Sequence, residues 1–290
     1  HLEAARNGEI KELCINIPPG YMKSLLVCVF WPTWDWIRNP QRKFLFGSYD
    51  KGLARRDASR QLRILQSQWF INRWGRYILQ RRPAEGHYVN RWGGERYSTS
   101  VDGAVLGRHY NVHVCDDPIK AKDANNARPS KLMLSKAERW WNETISTRVF
   151  DRKTLIRCII MQRLHVDDLA GIAERAGYYM LKLPLEYDPQ ISTPDVDWRK
   201  HKGELLWPEK DGPSEVEKAK KDLSTQAAIA SQLQQKPVPM GGLVFKEEWF
   251  RYWHYDKGMK APNGTDCVQL PLRGGRWAQS WDLTFKGRDG

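Results

Sequence analysis

Three short stretches carry residues of the right types, in the right order, for phosphate chemistry. The first is INIPPGYMKS, Ile15 to Ser24, where an apolar run enters a turn and Lys-Ser opens an amphipathic stretch. Backbone N–H groups at such a strand-to-helix turn can hold phosphate oxygens. A lysine there reaches the β- and γ-phosphates, and a serine hydroxyl takes Mg²⁺. The candidate nucleotide-binding residues are therefore Pro19, Gly20, Tyr21, Met22, Lys23 and Ser24. The strict GxxxxGK[ST] pattern is not met, because Ile17 and Met22 stand at its glycine positions. Taken alone, the stretch reads equally well as a plain strand, turn and helix.

The second stretch is NVHVCDDP, Asn111 to Pro118, an apolar strand ending in two carboxylates. Asp116 would hold the metal and its water shell, and Asp117 would orient and deprotonate an attacking water. The bland alternative is a strand end closed by a solvated Asp-Asp-Pro turn. His109 and His113 stand four apart, but without the Glu and the helix of a zinc motif they are not read as ligands. The third stretch is RCIIMQRLHVDDLAG, Arg157 to Gly171, where another apolar strand ends in Gln162 and Arg163 before a helix capped near Asp167. In open α/β sheets, ligands sit at the carboxyl ends of the strands. The loop after Ile17, the Asp116-Asp117 pair and Gln162 are thus expected to converge on one nucleotide.

The elements needed to position these residues are visible as an alternation of apolar runs and amphipathic stretches. Strands are predicted at 13–17, 43–48, 111–115, 154–161 and 179–183, and helices at 23–34, 51–68, 135–147 and 167–176. Such alternation predicts βαβ units and a mainly parallel sheet flanked by helices. Residues 186–212 read as a connector, 214–235 as one helix, 257–275 as loop and 277–285 as a further strand.

Lys plus Arg number 47 against 34 acids, a net charge of +13, so a polyanion such as nucleic acid is the simplest partner. No apolar run approaches the roughly 20 residues of a membrane span. The five cysteines show no metal spacing, and four lie in apolar runs where Cys behaves as a small buried hydrophobe. Fourteen tryptophans, densest in WPTWDW at Trp31 to Trp36, read first as packing residues and only secondarily as a stacking platform. His1 is not a natural start, so an N-terminal element is expected upstream.

PPGYMKS, GRHYNVHVCDDP and IIMQRLHVDDLAG, in this order and spacing, resemble the large-subunit terminases of tailed phages. KFLFGSYDKGLARRDASR resembles the segment after that family's second strand, QLQQKPVPMGGLVF the region before its nuclease, and RWAQSWDLTFKG the first nuclease strand. The resemblance implies a P-loop NTPase fold of the additional-strand type, with ATP and Mg²⁺ as cofactors. It implies an ATPase core over 1–190, a linker or lid over 191–274, and the start of an RNase H-like nuclease over 275–290. Ser24 and Asp116 would hold Mg²⁺, and Asp282 would be the first acid of an incomplete nuclease site. Where this chain has Gln162, the family commonly has Thr.

The implied function is a motor that hydrolyses ATP to drive double-stranded DNA into a capsid. Its partners would be the portal protein, the small terminase subunit and further copies in a ring, with no membrane. Its place would be the host cytoplasm, transiently docked on the procapsid portal. The element contacting adenine is expected upstream of His1. Ring motors insert an arginine into a neighbour's site, worth about 10³–10⁵ in rate. Arg108 and Arg148 are the candidates, joining Asp117, Gln162 and Arg163 as the catalytic set. Arg108 precedes Asp116 by eight residues, roughly 25 Å of strand, so it would serve another subunit; both arginines read equally as surface residues. The competing functions are another P-loop translocase or helicase, and a nucleotide-gated DNA-binding scaffold without hydrolysis.

Overall fold

The computed structural model describes residues 1–75, 84–103, 105, 107–120, 131–223, 225–238, 253–254, 258–260 and 268–269. Two compact units divide the chain, His1–Pro239 and Met240–Gly290. In the second, Trp253–His254 pairs in parallel with Val268–Gln269. The expected strand at 277–285, with Asp282, lies outside the described residues.

The first unit is built on seven described strands: β1 (Glu12–Asn16), β2 (Phe44–Ser48), β3 (His87–Val89), β4 (Glu95–Ser100), β5 (Val112–Asp116), β6 (Ile156–Met161) and β7 (Tyr179–Lys182). They lie in the order β3-β4-β2-β5-β6-β1-β7, and only β3 runs antiparallel to its neighbour. β6 stands between β1 and β5, which is the additional-strand arrangement. All four central strand ends that carry the three motifs and Ser48 therefore open on one edge of the sheet.

Helices cover both faces, and the strands alternate between them as period-two geometry requires. Leu13, Ile15, Phe44, Phe46, Val112 and Val114 join Trp31, Trp36 and Leu65 in one core. Cys14, Leu45 and Cys115 join Trp140, Trp141, Met161 and Leu169 in the other. The first core is roofed by the run α2 (Lys23–Leu25), a π-helical stretch (Leu26–Phe30) and α3 (Trp31–Arg38), together with α4 (Lys51–Gln66) and α5 (Gln68–Trp74). The second is roofed by α6 (Lys131–Arg139), the π-helical stretch Trp140–Thr144, and α7 (Leu169–Arg175). A β-carbon on Gly47 would lie 2.0 Å from the Trp140 indole, so glycine near the end of β2 lets that ring lie against the strand. WPTWDW is accordingly a packing segment. Trp31 and Trp36 are buried, and the buried Asp35 between them is paired with Arg42 at 3.1 Å and Arg6 at 3.4 Å.

Two features differ from the sequence expectation. β3 and β4 were not anticipated, because the inward face of β4 is polar. Arg96 is wholly buried, donating to the Cys28 carbonyl at 2.6 Å and to Gln61 Oε1 at 2.7 Å, with its guanidinium 3.8 Å over the Phe46 ring. The single helix expected over 214–235 is two: α8 (Pro213–Asp222), then α9 (Gln226–Ala228) running into a π-helical stretch (Ile229–Leu233). Thr225 caps the second, its hydroxyl accepting from the Ala228 N–H at 3.2 Å. Cys14, Cys28, Cys115 and Cys158 are all buried and free. Among the described residues, no helix is long and apolar enough to cross a membrane.

Candidate active site

The carboxyl end of β1 runs through Pro18-Pro19-Gly20 into α2, which begins at Lys23. Met22, at one of the glycine positions of the strict motif, is held in the left-handed region at φ 57. That conformation costs a side-chain-bearing residue roughly 1–2 kcal/mol. Asp117, just past β5, is left-handed as well at φ 42. Its N–H donates to the Ile160 carbonyl at 2.9 Å, and its carbonyl accepts from the Tyr49 N–H at 3.1 Å. The turn is thereby pinned to β6 on one side and to the end of β2 on the other. Strain of this kind persists where the surroundings over-determine it, and it concentrates at functional sites.

Pro19, Gly20, Lys23, Ser24, Asp116, Asp117 and Gln162 meet around one cavity of about 300 Å³. The convergence expected of the three stretches is thus the geometry observed. Lys23 is buried, and its ammonium lies 2.8 Å from Asp117 Oδ2. Burial, followed by the neighbouring Asp117 carboxylate, pushes the Asp116 carboxyl well above the usual carboxylate range. Lys23 and a hydrogen bond from Ser24 oppose that shift only in part. Asp116 Oδ1, Asp117 Oδ1, Gln162 Oε1 and Ser48 Oγ are buried without a protein partner. These orphaned oxygens, on two adjacent acids sharing one lysine, fit a hard divalent cation. Among the described residues no three His, Cys, Asp or Glu side chains cluster as a metal cage. A site with two carboxylates could hold Mg²⁺, which binds through one or two carboxylates together with water and substrate phosphates.

The remaining candidates are dispersed. Tyr21 and Met22 face away from this cavity and line a second one of about 810 Å³. Arg163 is buried with its guanidinium held by Asp168, Nε to Oδ1 at 3.0 Å, and its NH1 group lies 3.5 Å from Glu174. It shapes the loop that leads to α7 and is not among the residues lining the smaller cavity. Arg108 and Arg148 lie at the opposite, amino end of the sheet. Arg108 pairs with Glu95 and contacts His87 Nε2 at 2.8 Å. Arg148 offers its carbonyl to the Tyr110 N–H at 2.9 Å and to His113 Nε2 at 3.0 Å.

Sequence reasoning missed Ser48, Tyr49, Leu53, Arg56 and Ile119, which also line the cavity. The signal was available for two of them. β2 is parallel to β5, so its last residue, Ser48, sits in register with Asp116, and Arg56 lies on the helix that follows.

The strand order, with β6 between β1 and β5 and helices on both faces, is that of the additional-strand P-loop NTPase fold. The fold is similar to that of the HK97 bacteriophage large terminase, with a TM-score of 0.50 and 12% identity over 80% of this chain and 48% of that one. The large terminase of a thermophilic bacteriophage, in complex with ADP, aligns with a TM-score of 0.40 and 10% identity over 63% of this chain and 44% of that one. The chain thus spans about half the length of the terminases it matches. No protein-family model and no curated protein sequence matches it.

Proposed function

We propose that this chain is the ATP-hydrolysing motor of a viral DNA-packaging terminase, a large subunit that moves double-stranded DNA into a capsid. The observation that carries the reading is the convergence of Lys23, Ser24, Asp116, Asp117 and Gln162 on one cavity at the carboxyl edge of an additional-strand sheet. The similarity of fold to a phage large terminase and the charge of +13 support it.

In this reading Lys23 exchanges its bond to Asp117 for the β- and γ-phosphates of ATP. That exchange frees the Asp117 carboxylate to accept a proton from the attacking water as the bond to the γ-phosphorus breaks. Gln162 orients that water through its unpartnered amide oxygen, which accepts from it, or donates its amide N–H to the γ-phosphate. Ser24 and Asp116 would hold Mg²⁺, which when bound would neutralise charge on the phosphates. An arginine from a neighbouring copy, Arg108 or Arg148, completes the site in a ring. The portal protein, the small terminase subunit and DNA are its partners, in the host cytoplasm and docked on the procapsid. Residues 1–190 serve as the ATPase core and 191–274 as a linker or lid, and Asp282 belongs to a nuclease strand.

Phosphate release with Mg²⁺ and ATP tests this. Lys23→Ala should lower turnover by at least about 10²-fold while the circular dichroism spectrum is kept. Unchanged turnover would falsify the phosphate-loop assignment. Strand separation by the active protein would point to a helicase instead, and nucleotide binding without phosphate release to a scaffold.

A further inference from the structure

Phe30, Thr33, Trp34 and Ile37 recur at the spacing of one helical face, along the π-helical stretch and α3. A helix ordinarily buries such a stripe, yet this one borders an open groove of about 580 Å³. Across the groove, the end of α4 and α5 supply Ile64, Trp69 and Trp74. The far wall is held in place: Phe70 is buried beneath it, and the Trp69 and Trp74 rings meet edge to face at 5.2 Å. Phe30 is nevertheless 43% and Trp69 55% exposed, so large apolar surface on both walls stays uncovered.

The two hydroxyls in the lining are spent on their own helices. Thr33 donates to the Val29 carbonyl at 2.6 Å. Ser67 donates to the Ile64 carbonyl at 2.7 Å and accepts from the Phe70 N–H at 3.2 Å. The rim, by contrast, is cationic. Arg63 lines the groove, the Arg73 guanidinium lies 4.9 Å from the Trp69 ring centre, and that of Arg38 lies 5.8 Å from Trp34. All three arginines are exposed, and none has an acid partner among the described residues. The acids of α3, α4 and α5 are Asp35 and Asp57, both buried and already paired. Asp35 is held by Arg6 and Arg42, and Asp57 by Arg56 at 3.2 Å and Arg60 at 3.1 Å. The positive charge at the rim therefore has no local counterweight on these helices.

We infer that this groove is the docking site for an acidic amphipathic helix of a partner protein. The apolar anchors of that helix, three or four residues apart, sit between α3 and α5, and its flanking carboxylates meet Arg38, Arg63 and Arg73. An apolar floor under an unpaired cationic rim asks for a ligand with both characters. Nucleic acid shares the negative charge, but its base edges would be buried against a floor that offers them no free polar group, which is costly. Hydrocarbon side chains lose nothing there. A second copy of this chain, itself at +13, brings like charge to the rim. None of the groove's residues lines the nucleotide cavity, so the inference stands apart from the ATPase reading.

Fluorescence polarisation of the full chain with a labelled helical peptide tests the site. The probe is about 20 residues long, with Leu and Phe at every third or fourth position and Glu on the flanks; its counterpart carries Lys in place of Glu. The acidic peptide should bind in the micromolar range, and the Lys peptide at least about tenfold more weakly. Trp69 is mostly exposed, so Trp69→Ala should keep the fold and weaken the acidic peptide about tenfold. Arg63→Glu combined with Arg73→Glu should reverse the preference, so that the Lys peptide binds the more tightly. A groove that had merely collapsed would lose both peptides alike. No binding of the acidic peptide, equal binding of the two, or indifference to these substitutions overturns the site. Tighter binding of a thymidine oligonucleotide, weakened by Trp69→Ala, would make the groove a nucleic-acid platform instead. Self-association abolished by Trp69→Ala would make it a contact between copies, and either result overturns the inference.

Discussion

The two ends of the same parallel strands are built on opposite electrostatic terms. At the amino end, one acid, Glu95, is met by Arg108 and by His87 at 2.9 Å. At the carboxyl end, two adjacent acids, Asp116 and Asp117, share the single ammonium of Lys23, and several of the oxygens there have no protein partner. Two residues at that end, Met22 and Asp117, are also held at positive φ. On the proposed reading, a nucleotide and its cation would complete the open oxygens at the carboxyl end, whereas the Glu95 carboxylate at the amino end is already paired within the fold. In that reading the difference separates stability from function along one sheet.

The sharpest way to break this comparison is at Asp117. Asp117→Asn keeps size but loses the proton acceptor, so turnover should fall by about 10²–10⁴ while Mg-ATP still binds. Asp116→Asn should instead weaken Mg-dependent binding, and relief of the paired-acid repulsion should raise the melting temperature of the nucleotide-free protein. Indistinguishable kinetics and binding in the two variants would erase the division of roles.

At the amino end, Arg108→Ala subunits mixed into unaltered ones should depress ATPase activity more than dilution predicts if the side chain completes a neighbour's site. A strictly proportional loss leaves Arg108 as the partner of Glu95 and His87 only.

A stability effect follows for His113. It is wholly buried, and its Nε2–H donates to the Arg148 carbonyl. Burial lowers its pKa to about 4, against a usual value near 6.5. The unfolded chain therefore takes up a proton between pH 6.5 and 4 that the folded chain refuses. Stability should fall as pH drops through that window, by up to about 3 kcal/mol. His113→Gln, which keeps a donor for the carbonyl, should flatten this part of the pH profile in urea titrations. An identical slope in both proteins would assign the acid sensitivity to other groups.

The smallest effect is expected at Met22. Met22→Gly removes the left-handed strain but adds freedom to the unfolded chain, so the protein should be unchanged or stabilised by up to about 1 kcal/mol. A clear destabilisation would show that the Met22 side chain contributes more to the cavity it lines than its conformation costs.

Much of this protein was legible in the chain before any coordinates. Five of the seven described strands were visible as apolar runs bounded by turns; β1, β2, β5 and β6 read so because both of their faces are buried, while the edge strand β7 is only partly covered. The order of Lys23-Ser24, Asp116-Asp117 and Gln162 was legible for a related reason: a parallel sheet brings successive strand ends to one edge, whatever the loops do. β4 was hidden because its inward side chains are Arg96 and Ser98, which look exposed in sequence and are buried only through partners distant along the chain. Arg163 looked like a site residue from its place after β6, yet Asp168, five residues on, turns its guanidinium aside. Nothing in local pattern could foretell that residues 198–209 return to wall the far side of the phosphate loop. Periodicity reports what each segment buries. Which segments meet is decided only when burial and hydrogen bonding are satisfied for the whole unit at once.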